Sequence, residues 1–441
     1  MARLMASARN CSIEKSGYLV ALGGVNFIFS LIDALSFLLI ISAVCYWLFF
    51  FLSWRTLNSR NIKQISALLL VSLIALFCAF IQSTKPILWS KLLEGNIGII
   101  SLLVGVSLLS LLPNDTHEDS QLKGKRGLLS IWGSVHLLGA VINMSSPFLL
   151  GDKLQRHGKL NPTQLSVLVR ALTSAGFWSP FFASMAVALS IAPNAEYHYI
   201  ILVGIPIAIV ACLISLYEFK HQNQLDNFIG LPLATSTLKL PIFLALMVLF
   251  FHYYITPNLI ILAIVTLMSP LCVISLLMYQ KGLNATAITL QSHTVKRFPK
   301  MANEISLFLA AGLMTSSISL LVSSTFGEQW SLFESFGFWE SILCYFAICL
   351  TALLGLHPIV GISIMSSMVP YTEANNTLLA FVSISAWGVG TAISPLSGVN
   401  LSIGGKYEVD NYQLARANLK YGATLSTIVV IAFYVLSLLG P

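Results

Sequence analysis

Apolar runs of about 20 residues, the length a helix needs to cross a bilayer, recur along nearly the whole chain and are separated only by short polar breaks. Among 441 residues 56% are hydrophobic and 9% charged, where a soluble domain carries about a quarter charged residues. A soluble globular enzyme, a disordered scaffold and a nucleic-acid-binding module are thereby excluded. The seven cysteines lie almost all inside apolar runs without metal-type spacing and read as small hydrophobes. Residues 1–27, with Arg3, Arg9 and Lys15, read as a retained interfacial lead-in, because the apolar run that follows is too long for a signal-peptide core.

Spans are expected near 28–53, 64–83, 95–112, 163–192, 197–217, 240–255, 257–279, 300–323, 375–403 and 418–440. Two further stretches, 127–151 and 343–372, carry small and polar residues at their centres: Asn143-Met144-Ser145-Ser146-Pro147 in one and Met365-Ser366-Ser367 in the other. A lipid-facing helix does not choose such a centre, but a re-entrant hairpin does, because its tip turns inside protein or beside water. The run from His136 to Ser146 overlays the run from His357 to Ser367 at an offset of 221, matching His, Met, Ser and Ser. Each hairpin is followed by a long segment broken by Ser-Pro, at Ser179-Pro180 and at Ser394-Pro395, where the offset is 215. The expected fold is an all-α polytopic membrane protein of two inverted-topology repeats, each with a re-entrant hairpin and a broken transmembrane helix. The first repeat takes residues 28–217, a cytoplasmic linker 218–239, and the second repeat 240–441.

Charge placement supports opposite orientations. If 28–53 runs inward, eighteen of the 24 Lys and Arg fall in cytoplasmic loops and only Lys85 and Lys91 in outside ones, while 324–341 carries Glu328, Glu334 and Glu340 with no basic residue. This is the positive-inside pattern, so the net charge of +7 is a topological signal and not a nucleic-acid patch. The basic N-terminus fits the scheme only if residues 18–31 make an additional crossing.

Half-helices that end inside a membrane present free N–H groups at one end and free carbonyls at the other, which attract anions and cations respectively. Ser145 and Ser146 at the first tip and Ser179-Pro180 at the first break, with Ser366, Ser367, Ser394, Pro395 and Asn400 in the second half, are the candidate solute-binding residues. Asn143, Ser145, Thr173, Ser174, Ser363, Ser366, Thr391 and Ser397 supply oxygens suited to a hard cation such as Na⁺. Small polar residues also serve plain helix packing, which accounts for any one serine; the duplicated set reads as a site. Arg170 is placed either to pair with an anionic solute or to snorkel to the nearby loop. His136 and His357 hold matched places ahead of the tips, as gating groups or as satisfied structural histidines. No phosphate loop, zinc cluster or Ser-His-Asp constellation appears, so no enzyme activity and no cofactor beyond a coupling ion is expected.

Gly355-Leu-His357-Pro358-Ile-Val-Gly361, the Ser366-Ser367 pair, and Ala392-Ile-Ser394-Pro395-Leu-Ser397-Gly398-Val-Asn400 resemble the second half of transporters of the ion transporter superfamily. Its members include divalent anion/sodium symporters, anaerobic C4-dicarboxylate carriers and the membrane subunits of tripartite carriers. The resemblance implies an elevator transporter, usually a homodimer, with a scaffold part and a transport part that holds both hairpins and both broken helices. It also implies surface arm helices, here at 113–126 and 326–341. The symporters carry Ser-Asn-Thr at each tip, whereas this chain has Met144-Ser145-Ser146, with Asn143 one residue earlier, and Met365-Ser366-Ser367 after Ile364. The resulting expectation is a secondary transporter of a small, anionic, carboxylate-like solute in a bacterial inner membrane, coupled to Na⁺ or H⁺. The alternatives are an exporter or antiporter on the same scaffold and, less favoured, an integral-membrane enzyme acting on lipid-linked substrates.

Overall fold

The computed structural model describes residues 2–82, 87–112, 121–156, 158–232, 236–257, 259–327, 330–369 and 375–439. In chain order the helices are α1 (Ala2–Ser30), α2 (Leu38–Ser53), α3 (Ser59–Gln82), α4 (Trp89–Leu93), α5 (Ile97–Ser107), α6 (Gly124–Ile142), α7 (Ser145–Gln155), α8 (Pro162–Ala175), α9 (Ala183–Ile191), α10 (Tyr197–His221), α11 (Ser236–Phe250), α12 (Ile261–Lys296), α13 (Ala302–Phe326), α14 (Phe338–Leu353), α15 (Pro358–Ser366), α16 (Asn376–Ile393), α17 (Gly398–Tyr407) and α18 (Asn411–Leu439). Strands β1 (Leu122–Lys123) and β2 (Ile229–Gly230) pair antiparallel, Leu122 opposite Gly230. The protein is an all-α polytopic membrane protein: among the described residues seven helical stretches are long and apolar enough to cross a bilayer. Ten spans were expected; the difference lies in segments that are shorter, interrupted or run together.

The chain divides into two compact units that do not follow the sequence halves. The first holds residues 1–112, 259–332 and 363–368, and the second holds 113–258, 333–362 and 369–441. In the first unit, α3 buries Ile65, Leu68, Ser72, Ala75 and Ala79, a stripe at three- and four-residue spacing whose small members let α13 pack closely. Its opposite face exposes Leu70, Leu73, Ile74, Phe77, Phe80 and Ile81, as expected where lipid is the solvent. The expected span 28–53 is corrected: the chain turns at 31–37, so α1 is a separate helix packed along α2. Tyr18, Leu22, Val25 and Phe29 form an exposed apolar stripe on α1, so residues 18–27 belong to a packed helix rather than to a lead-in.

The second unit contains both copies of the repeat except the second half of α15, whose residues 363–366 group with the first unit. Helices α14, α15, α16, α17 and α18 begin 214, 213, 214, 215 and 214 residues after α6, α7, α8, α9 and α10. Side-chain bonds fix the directions of the copies. The start of α8 lies at the far end of α10, where Thr163 donates to Gln224 (2.8 Å) and Gln164 to the Ile229 carbonyl (2.8 Å). The start of α16 lies at the near end of α10, where the Thr377 hydroxyl accepts from the Glu196 amide (2.9 Å). Helices α8 and α16 are therefore antiparallel, and the copies are inverted.

The hairpin α6–α7 is re-entrant within the unit. It starts beside the β1–β2 pair, and its far end is tied to the end of α17, Asp152 accepting from Lys406 (2.6 Å) and from Tyr407 (3.1 Å). Both positions lie at the Glu218 end of α10. Helix α14 enters from the opposite end, where Phe338 packs edge-on against Tyr434 and the Phe336 carbonyl accepts from the Asn375 amide.

Three further expectations are corrected here. The second hairpin does not turn at Met365-Ser366-Ser367 but at 354–357, where Gly355 takes a φ of 97° and Pro358 opens α15 at the first helical position, the place where its missing N–H costs nothing. Consequently His136 lies inside α6 while His357 lies in the turn, and the 221 offset is not the structural one. The expected arm 326–341 is not a helix: its described residues are irregular from Gly327 (φ 95°) until α14 begins at Phe338. The expected linker 218–239 carries the end of α10, strand β2 and the first turns of α11. Residues 113–120 of the other expected arm, Lys85, Glu328 and residues 370–372 lie outside the described residues.

Candidate functional site

Helices α8 and α16 form the axis of the second unit. Every residue from Thr163 to Ala175 and from Thr377 to Ile393 is buried, so these are core helices screened from lipid. Asn161 caps α8 through its side chain and Gln164 answers it, a capping box with Pro162 at the first position. Asn375 accepts from the Leu378 amide and starts α16 in the same way. Each helix then breaks: α8 gives way to residues 176–182 before α9, and α16 to residues 394–397 before α17. The buried prolines Pro180 and Pro395 lie in these gaps, where an unpaired backbone nitrogen costs least.

The first break packs against α16 at Gly388, six residues before the second break begins. A Cβ on Gly388 would lie 3.1 Å from the Phe177 ring and 3.3 Å from the Thr173 carbonyl, so glycine lets α16 cross α8 closely without displacing either group. Each hairpin turn reaches the break of its own copy. Asn143, at a φ of 49°, donates to the Phe181 carbonyl (2.9 Å), and Ser179 donates to the Ala140 carbonyl. In the second copy Gly355 packs on Leu396.

Several of the expected oxygens are occupied by local bonds. Ser146 donates to the Val135 carbonyl (3.1 Å), Thr173 to the Arg170 carbonyl (3.3 Å) and Ser174 to the Ala171 carbonyl (3.0 Å). Ser397 caps α17 by accepting from the Asn400 amide (3.2 Å), and Ser394 accepts from the Leu396 amide (3.3 Å). Ser363, Ser366 and Ser367 belong to the first unit, where Ser366 and Ser367 both donate to the Ser363 carbonyl.

Three groups differ. Ser145, half-buried at the start of α7, makes no side-chain hydrogen bond among the described residues. Asn400 is fully buried, and its Nδ2 donates to the carbonyls of Ser394 (2.8 Å), Ala392 (3.1 Å) and Thr391 (3.4 Å), which gathers the exposed carbonyl end of α16. Its Oδ1 and the Oγ1 of Thr391 are both buried without a partner. Two orphaned oxygens in one break are costly unless a cation or water completes them.

Arg170 is corrected from a solute contact to a structural group. It is fully buried and donates to Asn418 Oδ1 (2.8 Å), Ser215 Oγ (3.3 Å), Glu218 Oε2 (2.9 Å) and the Ala417 carbonyl (2.8 Å). The rings of Phe219 and Tyr421 lie 4.8 and 4.5 Å from its guanidinium carbon. This network joins α8, α10 and α18 and leaves no open face for a solute. The sequence reading did not single out Glu218, Asn418 and Tyr421; a lone arginine in an apolar run demands a counter-charge, and Glu218 at the end of the next span was the available one.

His136 is likewise satisfied. Its Nε2 accepts from the Trp178 indole (3.0 Å), so Nδ1 carries the proton and donates toward Ser174 Oγ and the Ala171 carbonyl. His357 Nδ1 accepts from the Ile359 amide (3.2 Å) and starts α15, with its ring edge-on to Trp387. Among the described residues no group of three His, Cys, Asp or Glu is placed to hold a metal ion.

No protein-family model matches the sequence, and neither does any curated protein sequence. Among solved structures the chain is similar to the YdaH transporter of Alcanivorax borkumensis, a crystal structure described as having an unusual topology, at 15% identity and a TM-score of 0.41. The match covers 86% of this chain and 87% of that one.

Proposed function

We propose that the protein is a secondary transporter of a small anionic solute, coupled to sodium, with its site at the paired breaks of α8 and α16. The observation that carries this reading is the crossing of two inverted broken helices at Gly388, with the orphaned oxygens of Thr391 and Asn400 flanking the break of α16. The orphaned Thr391 Oγ1 and Asn400 Oδ1 are hard oxygen ligands of the kind Na⁺ takes, and among the described residues no carboxylate bonds to either of them. The free hydroxyl of Ser145 at the start of α7 suits an anion at a helix N-terminus. Since the first hairpin and both broken helices share one compact unit, an elevator-like movement of that unit as a body is the proposed mechanism. A homodimer in a bacterial inner membrane is the accompanying expectation.

Thermal stabilisation of the purified chain tests the proposal, with a panel of small carboxylates in sodium or in choline, because a ligand that binds only the folded state raises its stability with occupancy. A carboxylate is expected to stabilise only when sodium is present. Thr391→Val removes an oxygen that has no protein partner, so the sodium-free protein should be as stable as wild type or slightly more so. The sodium concentration for half-maximal stabilisation should rise about tenfold or more, the loss of one charge-assisted ligand. Ser269→Ala is the matched control, since its hydroxyl is also buried without a partner but lies in the first unit. Equal sodium responses from the two variants would remove the basis for placing the ion at Thr391.

A further inference from the structure

The first unit carries a second polar site that transport at the broken helices does not use. Helix α12 is apolar through its first half and kinks at Gly282, which takes a φ of 78°. Its second half then presents Leu283 and Ile288 outward, 68% and 67% exposed, before ending in a basic cluster. The change from apolar to polar to apolar sequence along α12 and α13 marks this as the level where the chain meets the membrane surface.

At that level there is a cavity of about 480 Å³, bounded by Ile288, Ser292, His293, Lys296, Arg297 and Lys300. Among the described residues none of the three cations has a carboxylate within 4 Å; Glu304 is the acidic neighbour of Arg297. His293 is held by Ser107 (3.2 Å) and by the edge of Phe298, which fixes the cavity wall. The backbone behind it is equally fixed, because α1 crosses at Gly17, where a Cβ would fall 2.0 Å from the Thr294 carbonyl. Glu304 offsets only Arg297, so the two lysines beside it leave an excess of positive charge around an open depression that an anion would relieve, and an apolar rim beside them matches a molecule with a charged head and an apolar body.

We propose that this cavity binds a phosphate group, with Lys296, Arg297 and Lys300 as its cationic wall, and that the phosphate belongs to the headgroup of an anionic phospholipid or to a free phosphate anion. The site is independent of the transport reading. Phosphatidylglycerol, phosphatidylcholine and inorganic phosphate are titrated in turn into the detergent-purified full chain while thermal stability is followed. The comparison is between wild type, Lys296→Ala/Lys300→Ala, and a charge-matched control, Lys63→Ala/Lys281→Ala, whose lysines lie outside the cavity. Phosphatidylglycerol should stabilise wild type and the control, and its apparent affinity for the first variant should fall about tenfold or more. Phosphatidylcholine should act weakly on all three. If inorganic phosphate stabilises wild type as well and the first variant loses that response, the source is the free anion; if it has no effect, the source is the lipid. Equal responses from the two double variants, or phosphatidylcholine acting as strongly as phosphatidylglycerol, would overturn the site.

Discussion

Replacing Arg170 by methionine is expected to destabilise the protein by about 3–5 kcal/mol, the range found when one partner of a buried ion pair is removed. The side chain is fully buried, and Glu218 beside it is 8% exposed, so deletion of the guanidinium leaves a carboxylate with no counter-charge in a low-dielectric interior. It also strips a donor from Asn418 Oδ1 and from the Ala417 carbonyl. Glu218→Gln should cost less, since the amide oxygen still accepts from the guanidinium. Arg170→Met combined with Glu218→Leu should recover much of the loss, because replacing a whole buried pair by packed apolar groups is often close to neutral. Chemical or thermal unfolding of the four proteins in one detergent measures the cycle. An Arg170→Met protein as stable as wild type that nevertheless failed to bind solute would restore the arginine to the site.

Replacing Asn400 by leucine should remove the sodium response and lower stability together. Its amide serves three carbonyls at the end of α16, and each buried carbonyl left without a donor costs about 1–3 kcal/mol. Asn418 also donates to the Ala392 carbonyl (3.3 Å), so the loss should fall on Ser394 and Thr391 and amount to about 2–4 kcal/mol. The contrast with Thr391→Val is diagnostic. One variant loses the ion with the helix end intact, and the other loses both. If Asn400→Leu unfolded at the same denaturant concentration as wild type while the sodium response survived, neither the capping role nor the ion-binding role would stand.

The membrane class, the broken helices and the first hairpin were legible because each rests on a local signal. Asn161-Pro162 and Asn375 announce helix starts, while Ser179-Pro180 and Ser394-Pro395 announce the interruptions. The second hairpin was misplaced because a short match of Met-Ser-Ser, all small or flexible residues, was given more weight than Gly355 and Pro358. Those two were the stronger turn signals, and they give a nearly constant offset of about 214 in place of 221 at the hairpin. The role of Arg170 was not legible because its partners stand up to 248 residues away. The division into two units was not legible from the halves for a related reason: residues 363–368 group with a part of the chain that ended thirty residues earlier.

The interruptions in the two copies are unequal, seven residues from Gly176 to Phe182 and four from Ser394 to Ser397. Had both gaps been alike, the two copies would have been interchangeable by inversion alone. The shorter gap is the one flanked by the partnerless Thr391 Oγ1 and Asn400 Oδ1, so the inversion is broken chemically as well as in length. The pseudo-symmetry of the unit is therefore broken by three residues of chain length.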